Sequence, residues 1–114
     1  LGSTGTIGQN TLKIIEAHPE RFEVIALTAC ENVALLIEQA RKFKPAHAVI
    51  ANAAHYDDLR KSLSGTQVKV SAGEEAMCEA AAHRADIVVS AIVGAAGLKP
   101  TLAAIEAGNA VALA

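Results

Sequence analysis

Three glycines spaced three residues apart open the chain and give it its clearest chemical signature. Gly2, Gly5 and Gly8 stand directly ahead of a helix pattern. In such a loop the first glycine permits a tight turn, the second lets the backbone approach a pyrophosphate, and the third lets the helix pack closely. Free N–H groups at the positive helix end then bind the anion. The segment therefore predicts a dinucleotide phosphate site, with Thr4 and Thr6 as additional hydroxyl donors.

The end of the next predicted strand carries the residues that bear on the choice of cofactor. An acidic side chain there holds a ribose 2′-hydroxyl, as in NAD binders, whereas a basic one accommodates the NADP 2′-phosphate. The turn reads Cys30-Glu31-Asn32. Glu31 alone favours NAD, but it is equally compatible with a solvated charge at a helix start. These residues therefore leave the choice between NAD and NADP open.

The rest of the chain predicts no catalytic or metal-ligating residue. Tyr56 is followed four residues later by Arg60, so the Tyr-x-x-x-Lys pair of short-chain dehydrogenases is absent. The four histidines stand singly in the sequence and predict no ligand cluster. Cys30 and Cys78 lie far apart, which predicts free, buried thiols rather than a disulfide or a zinc site. The catalytic residues are therefore expected outside residues 1–114.

Short apolar segments alternate with segments of helical period along the whole chain. Strands are predicted over residues 22–28, 47–51, 68–71, 86–93 and 110–114, and the first and fourth, being almost continuously apolar, are expected to be buried on both faces. Three apolar stripes predict helices: Gly8, Thr11, Leu12 and Ile15; Val33, Leu36, Ile37 and Ala40; Leu98, Thr101, Leu102 and Ile105. Weaker helices are predicted over 54–63 and 74–82, with Asn32 as an N-cap and Gly108 as a stop. This order predicts an α/β, Rossmann-like, doubly wound fold with a mostly parallel sheet and helices on both faces, in one dinucleotide-binding domain over 1–114.

Composition excludes several classes of function. The 114 residues carry 10 basic and 12 acidic side chains, and 3% of them are aromatic, which argues against nucleic-acid binding. No apolar stretch has the length of a membrane span and no leader segment is evident, so we expect a cytoplasmic protein without a membrane partner. The glycine loop lacks a preceding strand and the chain stops within an apolar run. We therefore expect both ends to be cut from a longer enzyme.

Several segments resemble the 1-deoxy-D-xylulose 5-phosphate reductoisomerases. They are the glycine loop, the segment 18–22 and above all residues 91–105, AIVGAAGLKPTLAAI. The resemblance implies the NADPH-binding part of an enzyme that rearranges and reduces a phosphosugar to 2-C-methyl-D-erythritol 4-phosphate, in non-mevalonate isoprenoid biosynthesis. It also implies a homodimer, with catalytic residues and a divalent metal, Mg or Mn, outside residues 1–114. The cofactor contacts that it implies come from Thr4, Gly5, Thr6, Ile7, Cys30, Glu31 and Asn32.

The resemblance has one departure and leaves alternatives. Family members often carry glycine and a basic residue where this chain has Cys30 and Glu31, whereas Asn32 matches. Similar glycine loops occur in aspartate-semialdehyde dehydrogenases, dihydrodipicolinate reductases and extended short-chain dehydrogenases, and a non-catalytic nucleotide-sensing module is a further alternative. The small residues of 91–98 are explained either by close approach to a flat ligand or by tight packing of helix on sheet.

Overall fold

A computed structural model describes all 114 residues as an alternation of helices and strands. The helices are α1 (Thr6–Ala17), α2 (Val33–Phe43), α3 (Tyr56–Ser62), α4 (Glu74–Ala81) and α5 (Leu98–Glu106). The strands are β1 (Ala26–Ala29), β2 (His47–Ile50), β3 (Lys69–Ala72), β4 (Ile87–Ser90) and β5 (Ala110–Leu113). Every predicted element is present, but β1 begins four residues later than expected and β4 ends three residues earlier.

The predicted helix boundaries have identifiable causes. The side chain of Asn32 accepts a hydrogen bond from the N–H of Leu35 at 3.1 Å, which caps α2 as expected. Glu74 and Glu75 occupy the first turn of α4, where the helix dipole favours negative charge. Gly108, at φ 86°, ends α5 in the left-handed conformation that glycine adopts easily.

All strand pairs are parallel, which confirms the predicted α/β class. One sheet has the order β1-β2-β3 and the other has the order β4-β5. Residues 1–3 connect the two sheets through backbone hydrogen bonds. The N–H of Leu1 donates to the Val89 carbonyl at 2.8 Å, and the N–H groups of Gly2 and Ser3 donate to the Thr28 carbonyl at 3.0 and 2.8 Å. The glycine loop therefore begins at the junction of the sheets.

A groove of about 980 Å³ separates β1 from β4 and is lined by both strands, by α1 and by residues 19–25. The expectation of burial on both faces is confirmed for β1, where Leu27, Thr28 and Ala29 are buried, and is wrong for β4, where Ile87 is 60% exposed. The most completely buried strand is β2, in which all four residues are buried. It has a hydrogen-bonded neighbour on each side, whereas β1 and β4 each leave one edge facing the groove.

The main core lies between the three-stranded sheet and α1, α2 and α3. It contains nine buried residues: Leu12, Leu27, Ala29, Leu36, Ala40, Ala48, Ile50, Leu59 and Leu63. The stripes of α1 and α2 contribute to it as predicted. The third stripe is wrong, because Leu98, Leu102 and Ile105 are exposed and α5 buries Pro100 and Ala104 instead. The helix α5 therefore packs against its neighbours through Pro100 and Ala104, and its large apolar residues lie on the outward face.

No helix in the structure combines the length and the hydrophobicity that crossing a membrane requires.

Candidate functional site

The glycine loop is held in a close-packed turn at the carboxyl end of β1. Gly2 has φ 78°, and a Cβ atom there would lie 2.8 Å from the carbonyl oxygen of Ala91. A Cβ atom on Gly8 would lie 2.2 Å from the carbonyl oxygen of Gly2. Both positions exclude any larger residue, so the loop and the first turn of α1 are in direct contact. The predicted close approach at Gly8 is confirmed, although its neighbour is the loop rather than the sheet.

The N-terminus of α1 presents free backbone donors. No side chain caps the helix, and its first turn contains no acidic residue. The N–H groups of Thr6, Ile7 and Gly8 accordingly have no carbonyl partner within the helix. A Cβ atom on Gly5 would meet only the Gly2 carbonyl oxygen, at 3.7 Å, so the space beside Gly5 is open. Donors next to open space fit the phosphates of a dinucleotide.

A buried polar pair, not predicted from the sequence, fixes the loop against α2. The hydroxyl of Ser3 donates to Oε1 of Gln39 at 2.7 Å, and Nε2 of Gln39 donates to the Ser3 carbonyl at 2.9 Å. Both residues are buried. The signal in the sequence was Gln39 itself, a polar residue three positions after Leu36 on an otherwise apolar helix face. The pair fixes the glycine loop against the middle of α2.

The second predicted cluster, Cys30-Glu31-Asn32, forms the turn between β1 and α2, at the same sheet edge as the glycine loop. Cys30 is exposed, so its predicted burial is wrong, because the residue lies past the last residue of β1. It is a free thiol, as expected, and so is the half-buried Cys78. The Oδ1 atom of Asn32 is engaged in capping α2, whereas Glu31 extends towards the next loop.

The Glu31 carboxylate is contacted by Asn52 and His55, both of which lie in the segment that follows β2. Nδ2 of Asn52 lies 3.2 and 2.9 Å from the two carboxylate oxygens, and Nε2 of His55 lies 3.3 Å from Oε2. Sequence reasoning missed both residues. The available signal was their place directly after β2, since parallel neighbours bring their carboxyl ends to one edge of the sheet.

The histidines are not all isolated, as the sequence had suggested. His47 at the amino end of β2 is fully buried, and its Nδ1 lies 3.0 Å from Nε2 of His83. Its Nε2 lies 2.9 Å from the hydroxyl of Ser71. Burial, followed by the charges of His83 and Lys69, lowers the pKa of His47 below its ordinary value of 6.5. The pair is at the sheet edge opposite the glycine loop, and no group of three or more His, Cys, Asp or Glu residues that could hold a metal is present.

The segment 91–98 follows β4 at the glycine-loop edge. A Cβ atom on Gly97 would lie 2.7 Å from the carbonyl oxygen of Ile92, so packing alone requires glycine at this position. Gly94 adopts φ 75° with nothing within 4 Å, and residues 93–96 are exposed. Tight packing therefore explains Gly97, while the exposed residues leave this stretch of the edge accessible.

The site combines a glycine turn, an uncapped helix N-terminus and a polar cluster at the carboxyl edge of parallel strands, which is the arrangement typical of dinucleotide-binding α/β proteins. The family model for 1-deoxy-D-xylulose 5-phosphate reductoisomerase matches residues 1–114. The chain therefore belongs to the 1-deoxy-D-xylulose 5-phosphate reductoisomerase family, as the resemblance indicated.

Individual relatives agree with this assignment. The reductoisomerases of Rhodospirillum centenum and Caulobacter vibrioides are each 54% identical over the whole chain. A solved reductoisomerase from Zymomonas mobilis in complex with NADPH superposes with a TM-score of 0.95 at 49% identity, over 99% of this chain. A reductoisomerase in complex with NADPH, fosmidomycin and magnesium gives a TM-score of 0.90 at 40% identity, over 96% of it. The chain spans only 28% to 30% of the length of these proteins.

Proposed function

We propose that residues 1–114 form the NADPH-binding domain of an enzyme that converts 1-deoxy-D-xylulose 5-phosphate to 2-C-methyl-D-erythritol 4-phosphate. The observation that carries the proposal is the uncapped N-terminus of α1 beside the open side of Gly5. The complex of the Zymomonas mobilis relative with NADPH, at 49% identity, supports the choice of cofactor.

Each predicted cofactor residue has a chemical role in this proposal. The N–H groups of Thr6 and Ile7 bind the phosphates, the hydroxyls of Thr4 and Thr6 add donors, and Gly5 gives the phosphates room. Across the sheet edge, the turn Cys30-Glu31-Asn32 faces the adenosine ribose and its 2′-phosphate. NADPH supplies the hydride for the reduction, and the residues of this chain bind and orient it.

The proposal extends to the whole enzyme by family membership. The phosphosugar substrate, the divalent metal, Mg or Mn, and the catalytic residues are assigned outside residues 1–114. The complexes of two relatives with magnesium support the metal, and the fosmidomycin complex of one of them supports a small-molecule site. The proposal for the whole enzyme also includes a homodimeric assembly, a cytoplasmic location and the absence of nucleic-acid and membrane partners. The net charge of -2 supports the exclusion of nucleic acid.

A binding titration tests the cofactor assignment. Addition of the protein to NADPH, followed by the nicotinamide fluorescence, is expected to show saturable binding. Gly5→Val is expected to abolish it, because the branched side chain fills the space beside the loop. Ala17→Val, which introduces the same side chain at the exposed far end of α1, is the matched control and should bind normally. Normal affinity in a folded Gly5→Val variant would contradict the assignment.

The exposed thiol of Cys30 provides a second readout of the same site. Saturating NADPH should slow the reaction of Cys30 with an aromatic disulfide reagent, because the bound ribose covers it. The half-buried Cys78, on α4, serves as the internal control, and its rate should be unchanged. Equal rates for Cys30 with and without bound NADPH would place the ribose elsewhere.

The activity itself is tested with the intact protein. NADPH oxidation is expected to require both 1-deoxy-D-xylulose 5-phosphate and a divalent cation, and to stop when a chelator is added. Turnover that persists after complete removal of the metal would refute the metal-dependent part of the proposal.

A further inference from the structure

Glu31 occupies a position that conflicts with the proposed cofactor. In dinucleotide-binding folds an acidic residue after the second strand of the unit accepts hydrogen bonds from the ribose 2′-hydroxyls of NAD. A carboxylate at that point repels the 2′-phosphate of NADPH, since both groups are anionic. Within the proposed function, the negative charge of Glu31 has to be offset by other groups.

The loop after β2 provides that offset. The amide of Asn52 contacts both oxygens of the Glu31 carboxylate, at 3.2 and 2.9 Å, and the imidazole of His55 lies 3.3 Å from one of them. We call these three residues the Glu31 clamp. The Asn52 amide donates to both oxygens and draws the carboxylate towards β2, and the imidazole of His55 packs beside one of them.

The Glu31 clamp is held in place by the backbone on both sides. The N–H of Asn52 donates to the Cys30 carbonyl at 3.1 Å, which ties the loop after β2 to the turn that carries Glu31. The Oδ1 atom of Asn52 accepts from the N–H of Ala54 at 2.9 Å, so the orientation of its amide is fixed and Nδ2 is directed at Glu31. The His55 side chain is only 33% exposed, against 69% for Glu31. The donors are therefore more firmly held than the carboxylate that they contact.

We infer that Asn52 and His55 set the preference between NADPH and NADH by holding the Glu31 carboxylate towards β2 and away from the 2′-phosphate. The inference rests on the proposed function, because it concerns the ribose end of the same dinucleotide. Both are positioning residues, since they act through Glu31, and neither belongs to the set of cofactor contacts that the family resemblance implies.

A double-mutant cycle on the intact protein tests this inference. The variants are His55→Ala, Glu31→Gln and the two combined, with dissociation constants for NADPH and for NADH from fluorescence titration. We expect His55→Ala to weaken NADPH binding by about threefold, because the carboxylate loses one of the contacts that hold it away from the 2′-phosphate, and to leave NADH binding unchanged. In the Glu31→Gln background, where residue 31 carries no negative charge, His55→Ala should no longer alter the ratio of the NADPH and NADH dissociation constants.

A matched control is available in a second histidine and glutamate pair. His18 and Glu20 lie 4.0 Å apart at the C-terminal end of α1, with side chains 52% and 68% exposed. His18→Ala should leave both dissociation constants unchanged.

The possible outcomes separate the inference from the proposed function. Equal weakening of both cofactors by His55→Ala, no weakening of either, or an unchanged effect in the Glu31→Gln background would each overturn the inference. Absence of binding of both cofactors to the folded wild-type protein would instead refute the proposed function.

Discussion

The two-stranded half of this domain has the higher proportion of apolar residues, yet it buries fewer of them than the three-stranded half. The three-stranded half, residues 26–72, holds most of a cluster of nine buried residues. The two-stranded half, residues 87–113, contributes Val88 and Ala104 to a cluster of three. Every exposed large apolar side chain between residues 26 and 113 lies in the two-stranded half: Ile87, Val93, Leu98, Leu102, Ile105 and Leu113.

The difference shows that apolar content and stabilisation are separate quantities. A side chain stabilises the fold in proportion to the area that it removes from water, about 25 cal/mol per Å². The apolar residues of α5 remove little, so the three-stranded half is expected to carry most of the stability of the domain. It also carries the Glu31 clamp, which places the proposed ribose end of the site on the better-packed half.

The largest expected effect is that of Leu36→Ala. Leu36 on α2 is fully buried in the main core, so its truncation removes apolar contacts and leaves a cavity. We expect a loss of about 2–5 kcal/mol in the free energy of unfolding, measured by urea denaturation. A loss below about 1 kcal/mol would contradict the assignment of the main core to this half.

Gly8→Ala tests the contact between the loop and α1. The new Cβ would lie 2.2 Å from the Gly2 carbonyl oxygen, so the loop or the helix must move. We expect a loss of stability of about 1–3 kcal/mol together with weaker NADPH binding. Gly5→Ala is the matched control, because its Cβ has room, and its stability should remain within about 0.5 kcal/mol of wild type.

A smaller effect is expected from acid, through His47 in the three-stranded half. Because the pKa of His47 is lowered in the folded state, the unfolded chain binds more protons below the ordinary value of 6.5. The stability contributed by His47 is therefore fully present above that value and declines as the pH falls below it. The neighbouring charges are His83, Lys69 and Glu79, and the last opposes the shift.

Urea denaturation across this pH range, with two histidine variants, checks that prediction. His47→Gln should flatten the pH dependence, whereas His18→Gln, at the exposed end of α1, should leave the slope intact. A steeper slope in His47→Gln would contradict the account.

The smallest effect is expected in the two-stranded half. Leu102 on α5 is 45% exposed, so Leu102→Ala should change the free energy of unfolding by no more than about 0.5 kcal/mol. The same denaturation experiment as for Leu36→Ala measures it. Equal losses in the free energy of unfolding for Leu36→Ala and Leu102→Ala would contradict the expected difference in stability between the two halves.

Features that depend on neighbours in sequence were predictable, and contacts between distant segments were not. The turn at Gly2, the close packing at Gly8 and the cap at Asn32 depend on residues that are near in sequence, so they could be predicted. The pairing of His47 with His83 and of Ser3 with Gln39 joins residues 36 positions apart. Such contacts depend on strand order and register.

The Glu31 clamp illustrates the same limit at the candidate site. Glu31 and Asn52 lie 21 positions apart and meet because β1 and β2 are parallel neighbours whose last residues, Ala29 and Ile50, are in register. The error at α5 has a related cause. Helical periodicity locates an apolar stripe, but here the small residues Pro100 and Ala104 supply the packing surface.

The backbone bonds of residues 1–3 give the glycine loop a second consequence. Since Leu1 is bonded to β4 and Ser3 to β1, a ligand that orders the loop also strengthens the attachment of one sheet to the other. Ligand occupancy and the cooperativity of unfolding then become linked, and a ligand at about a hundredfold excess over its dissociation constant adds about 2.7 kcal/mol. With NADPH bound, we expect the two-stranded half to unfold together with the three-stranded half in a single transition. The cofactor would then couple the unfolding of the two sheets that its binding loop connects.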